Sequence, residues 1–146
     1  MGWVVRIAII AVIAIGGFIF QDRLSSNAGD LAVGHCFDEP AAVEEVTDVQ
    51  RHPCNEAHTS EVIFVGDLLG STEVYPSDEE LGAYFDANCV PAFNAYTGRD
   101  YQSDTELDIG SFIPTEEGWK DGDREMTCYA IRVDGAATSQ SVKSGT

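Results

Sequence analysis

The sequence predicts an α+β protein: a small antiparallel sheet with one main helix packed on a face, two disulfides, and a transmembrane helix at the N-terminus. Three observations predict it. One strongly signalled helix stands among short strand-like runs, four cysteines sit in an acidic body, and a charge-free apolar stretch lies near the start.

The apolar stretch comes first. Ile7 to Phe20 carries no charged or strongly polar side chain. With Trp3, Val4 and Val5 it reaches roughly 27 Å as a helix, close to the thickness of a bilayer core. Arg6 near its end can snorkel to the headgroups, and Trp3 suits the interface. Arg6 and the amino terminus precede the run, whereas Asp22, Arg23 and Asp30 follow it. That bias predicts a single-pass anchor with a cytoplasmic N-terminus and an extracytoplasmic body. A cleavable signal peptide is the competing expectation, since Ser26-Asn27-Ala28 offers small residues for cleavage. His35 before Cys36 argues against a lipoprotein. The boundaries are then 1–22 for the anchor or signal peptide, 23–30 for a spacer, 31–134 for the domain and 135–146 for a disordered tail.

The strands follow in order. Leu31–Asp38 reads as a first strand ended by Pro40, and Glu45–Arg51 as a second. Glu61-Val62-Ile63-Phe64-Val65 is apolar on both faces, so it belongs in the middle of the sheet. Ile109–Pro114 and Arg124–Val133 complete five strands, with the turn Asp121-Gly122-Asp123 ahead of the last. From Gly135 the chain is rich in Ala, Ser, Thr and Gly without periodicity, which predicts disorder.

The helix precedes the last two strands. Ser77 with Glu80 three residues on forms a capping box, and Pro76 bars an earlier start. Leu81, Tyr84, Phe85, Cys89, Phe93 and Tyr96 fall on one face at helical spacing. Pro91 should kink or split this helix, and Gly98 should stop it.

Composition limits function. The body from Gln21 has about 125 residues, enough for one core. It holds all 25 acidic side chains and seven of the eight basic ones, a balance of −18 with histidines neutral. Such a surface repels nucleic acid and anionic headgroups. Cys36, Cys54, Cys89 and Cys128 are even in number and, in an oxidising compartment, predict two disulfides. Three pairings are possible. Cys36–Cys54 with Cys89–Cys128 is favoured because each joins neighbours in chain order. Met126, Cys128 and Ala130 would then face the helix.

Candidate chemistry is thin. His35, His52 and His58 lie near Cys36 and Cys54, but exported cysteines are disulfide sulfurs and the spacing matches no zinc pattern, so no metal or cofactor is expected. Asp100, Asp104, Glu106 and Asp108 form an acidic loop without the ligand alternation of a calcium site. Glu56, His58 and Glu61 could act as acid and base, yet no nucleophile stands in a recognisable context. A histidine fixing the loop beside Cys54 is the plainer expectation. Trp119, Asp123 and Arg124 flank the turn at Gly122 and read as structural, the indole covering a core edge and Asp123 pairing with Arg124; an exposed Trp119 anchoring an interface is the alternative.

Val33-Gly34-His35-Cys36-Phe37, Pro53-Cys54 with His58 and Glu61-Val62, Cys89 with Phe93, Pro114-Thr115, Trp119, Gly122-Asp123-Arg124 and Cys128 occur in this order. The set resembles the septum-formation domain family of actinobacterial envelope proteins, over roughly Leu31 to Val133. His35 departs from it, standing where an acidic residue is usual. The resemblance implies an anchored domain outside the membrane and a link to division-septum assembly, with no defined activity. The expected function is therefore non-enzymatic: binding of an envelope or septal protein, or of a cell-wall component, in septum formation or envelope maintenance. A ligand- or cation-binding sensory module and an envelope hydrolase using His58 and Glu61 are the alternatives.

Overall fold

The computed structural model describes residues 25–40, 48–68 and 73–145. The expected N-terminal membrane helix and the start of the second expected strand lie outside these residues. Among the described residues, no helix is long and apolar enough to cross a membrane.

The architecture is an antiparallel sheet with one long helix on a face, as the residue pattern predicts. The strands are β1 (Ser25–Asn27), β2 (Cys36–Asp38), β3 (Asp48–His52), β4 (Ser60–Asp67), β5 (Leu107–Phe112) and β6 (Glu125–Arg132). The helices are α1 (Asp78–Thr97) and the short α2 (Glu116–Lys120). Six strands lie in the order β1-β3-β2-β4-β6-β5. The expected central strand, β4, is indeed flanked on both sides.

Four local expectations are corrected. The first strand is confined to Cys36–Asp38. Gly34 adopts φ 91° and His35 N–H bonds the Ala32 carbonyl at 3.0 Å, a tight turn that a strand cannot accommodate. Within the expected spacer, Ser25–Asn27 pairs with Asp48–Gln50 as an edge strand. Helix α1 runs as one element through Pro91. Pro91 and Ala87, whose carbonyl a residue four positions on would normally bond, are both exposed, so water can satisfy that carbonyl. Finally, the tail after Gly135 is placed against the domain. Thr138 forms a two-way backbone bridge with His58, at 2.9 and 2.8 Å.

The capping box forms as expected. The Ser77 side chain accepts from Glu80 N–H, the Glu80 carboxylate accepts from Ser77 N–H, and Gly98 closes the helix at φ 68°. The predicted stripe packs inward: Cys89 and Phe93 are fully buried, and Leu81, Tyr84, Phe85 and Tyr96 lie against them. Opposite stand Ile63, Met126, Cys128 and Ala130 from β4 and β6. Burying each large apolar side chain contributes roughly 1.5–3 kcal/mol. A smaller cluster on the other sheet face gathers Leu31, Phe37, Val49, Val62 and Tyr129. There the Tyr129 ring covers Gly110 so closely that a Cβ would sit 2.3 Å from it. Both disulfides follow the favoured pairing, Cys36–Cys54 and Cys89–Cys128.

Candidate functional site: a buried histidine and glutamate beside a disulfide

Strand register, rather than sequence spacing, builds this site. Antiparallel pairing of β2 with β4 sets Cys36 directly across from Glu61. Cys54, two residues beyond β3, bonds back to Cys36 and draws the following loop over the end of the sheet. That loop delivers His58, of which 1% is exposed, and Glu61 is exposed by only 2%.

Glu61 is a buried carboxylate with three donors. Tyr96 O–H, from the last turn of α1, donates to Oε1 at 2.5 Å. Ser141 O–H donates to the same oxygen at 2.6 Å, and Val142 N–H to Oε2 at 2.7 Å. Burying a charged group is costly unless it is hydrogen-bonded, and these three bonds supply that compensation. Two of them come from residues 136–145, so Glu61 fastens this C-terminal strap to the sheet. Ser144 N–H to Tyr96 O at 2.9 Å adds a further tie. Burial, and then the bond to Glu61, push the Tyr96 phenol well above its ordinary range.

His58 is bonded on one side only. Its Nδ1 lies 2.8 Å from the Glu56 carbonyl, which can only accept, so Nδ1 carries the proton. Among the described residues, His58 Nε2 is the one buried side-chain nitrogen or oxygen without a hydrogen-bond partner. The expectation that this histidine fixes the loop beside Cys54 fits the Glu56 bond. The unmatched Nε2 goes beyond it.

The remaining predicted residues gather elsewhere. His58 and Glu61 sit near the Ile131 end of β6, whereas Trp119, Asp123 and Arg124 sit at its Glu125 end. Trp119 is 1% exposed, which fits the expected core-edge role and not the alternative of an exposed anchor. Its ring lies against Tyr75 at 5.7 Å and beneath the Arg124 guanidinium at 3.8 Å, and Nε1–H donates to the Glu73 carbonyl. The indole closes the core edge. Asp123 Oδ1 accepts from Glu125 N–H and orders the turn into β6.

The acidic loop is used internally. Asp104 accepts from the N–H groups of Glu106 and Leu107 and pairs with Arg99. Burial raises its pKa, but the two N–H donors and Arg99 outweigh that and hold it below the usual carboxylate range. Asp108 accepts from Tyr101 O–H at 2.9 Å. At the opening of the sequence a smaller pair forms: burial first, then the Arg51 charge, lower the His35 pKa.

Fold and site together define a disulfide-stapled α+β domain whose buried polar groups clasp its own C-terminal strap. The chain belongs to the septum-formation family: the family model described as Septum formation matches residues 33–145, most of the chain and the strap included. No curated protein and no solved structure gives a significant match.

Proposed function

We propose that this chain is a membrane-anchored, extracytoplasmic, non-enzymatic domain that binds a septal or envelope protein, or a cell-wall component, during septum formation. Membership of the septum-formation family supports the septal part. The observation that favours binding over catalysis is the enclosure of the two best acid–base candidates. His58 and Glu61 are both almost fully buried, and Glu61 accepts three internal bonds. A general base must reach the proton it abstracts, and neither group faces solvent. The apolar N-terminal run supports the anchor, and the paired cysteines support an oxidising compartment.

The test is a fluorescent fusion of the full chain in its own host, with photo-crosslinkers at exposed positions. Enrichment at the septum with a reproducible crosslinked partner is expected. An even distribution, together with normal septa in a deletion strain, would overturn the septal reading.

One observation favours ligand binding as a second reading. A polar groove of about 290 Å³ beside the strap is lined by Arg99, Arg132 and Lys143 together with Glu106, Gln140 and Ser144. Arg99 pairs there with Asp104 and Glu106, and Arg132 with Asp134, so the groove presents mixed charges with hydroxyl and amide groups that suit a small polar ligand. Calorimetry with soluble wall fragments would detect it.

A further inference from the structure

The buried cluster at the Cys36–Cys54 bond holds more ligating chemistry than a cross-link needs. Cys36 Sγ, a ring nitrogen of His58 and a carboxylate oxygen of Glu61 lie within 4.8 Å of one another, and all three residues are buried. Cys54, bonded to Cys36, places a second sulfur at the same point. His58 donates Nδ1–H to a backbone carbonyl and leaves Nε2 unmatched. That is the usual posture of a metal-ligating histidine, whose second nitrogen is oriented by a carbonyl or carboxylate. Glu61 is oriented in the same manner by Tyr96, Ser141 and Val142 N–H, and its Oε2 accepts only one of these bonds.

We propose that two-electron reduction of the Cys36–Cys54 disulfide converts this cluster into a zinc site, with Cys36, Cys54, His58 Nε2 and a Glu61 oxygen as the four ligands. The reductant is a dithiol. Its thiolate attacks the sulfur of Cys54, a residue only partly buried, and Cys36 is released as thiolate. The second thiol of the reductant then displaces Cys54 and closes its own disulfide, leaving two protein thiols. Zinc takes both sulfurs as thiolates and releases two protons. Cys89 and Cys128 are each 0% exposed, so the Cys36–Cys54 bond opens first.

The donor set fits the ion. Two thiolates, an imidazole and a carboxylate form a tetrahedral zinc set, whose ligand atoms stand roughly 3.3–3.8 Å apart. Opening the sulfur–sulfur bond lets the two sulfurs separate to that distance, and the other donors need only close in from within 4.8 Å. In the oxidised state the disulfide bars the metal. The cluster therefore alternates between two covalently distinct fastenings of the same strands. Sequence spacing hides it because the β2–β4 register brings Cys36 to Glu61.

The test uses the full chain, reduced anaerobically with a phosphine and titrated with Co²⁺, then with Zn²⁺. Expected are one Co²⁺ per chain, thiolate-to-cobalt charge-transfer absorption with tetrahedral d–d bands, and displacement by zinc. The unreduced chain should give none of these. His58→Ala should weaken binding by at least about tenfold, as should Glu61→Gln to a lesser degree. Two results would overturn the proposal: a reduced chain that gains no metal over the oxidised one, or a His58→Ala variant that binds as tightly as the unmodified chain. Loss of the far-ultraviolet dichroism in the reduced, zinc-loaded protein would count against it equally, since the site requires the folded register.

Discussion

The two disulfides carry the same bond in opposite surroundings. Cys89–Cys128 lies within an apolar cluster with Ile63, Phe93, Met126 and Ala130, where helix meets sheet. Cys36–Cys54 borders a buried polar cluster that contains a half-bonded histidine and a carboxylate with three donors. The first staples a core that side-chain packing would favour anyway. The second ties β2 to the loop after β3 beside the polar contacts of the strap, on strands whose own apolar cluster, Leu31, Phe37, Val49, Val62 and Tyr129, is the smaller of the two. Stability is thus expected to concentrate at the helix end, and conformational and chemical responsiveness at the strap end.

The largest effect that separates the two ends should come from Cys128→Ser. It opens a cross-link spanning 39 residues, worth about 4 kcal/mol by loop closure, and leaves Cys89 alone in the core. Cys54→Ser opens the 18-residue span, worth about 3 kcal/mol, at the wetter end. Urea denaturation should rank the two in that order, and equal midpoints would break the contrast.

Next is Glu61→Ala. It leaves the Tyr96 hydroxyl, the Ser141 hydroxyl and the Val142 N–H without their acceptor, a loss of roughly 2–3 kcal/mol. His58→Ala should cost less, about 1–2 kcal/mol, since it removes one hydrogen bond and some packing. Melting temperatures of Cys128→Ser and His58→Ala should differ clearly, and coincidence would contradict the ranking.

The smallest effect lies in pH. The carboxyl of Asp104 has its folded pKa below the ordinary carboxylate value. Its contribution is therefore complete above about pH 4 and is lost as pH falls through the lowered folded value. Asp104→Asn should be less stable by about 1 kcal/mol at neutral pH. The gap should close in strong acid, and a gap that widened there would invert the sign.

Legibility in the sequence divides along the same line. Ser77, Glu80 and Gly98 announce α1 because capping is local chemistry, and the stripe through Cys89 and Phe93 announces its buried face. The faces of β6 are likewise readable, since Met126, Cys128 and Ala130 alternate with Tyr129 and Ile131. The strap was illegible. Thr138, Ser141 and Val142 find their partners about eighty residues earlier, through isolated hydrogen bonds that leave no periodic trace. The three-residue β1 and the five-residue α2 are too short for periodicity, and pairing or core contact decides them instead. His58 and Glu61 stood out as residues, yet their role as a clasp required a register that one strand alone does not specify.

The decisive measurement is amide hydrogen exchange in the oxidised chain, compared with Glu61→Ala. The N–H groups of Thr138, Val142 and Ser144 should be protected in the unmodified chain and become fast in the variant. Those of Thr127 and Ile131 in β6 should stay slow in both. Strap amides that exchange freely from the start, or that stay protected once the carboxylate is gone, would contradict the clasp.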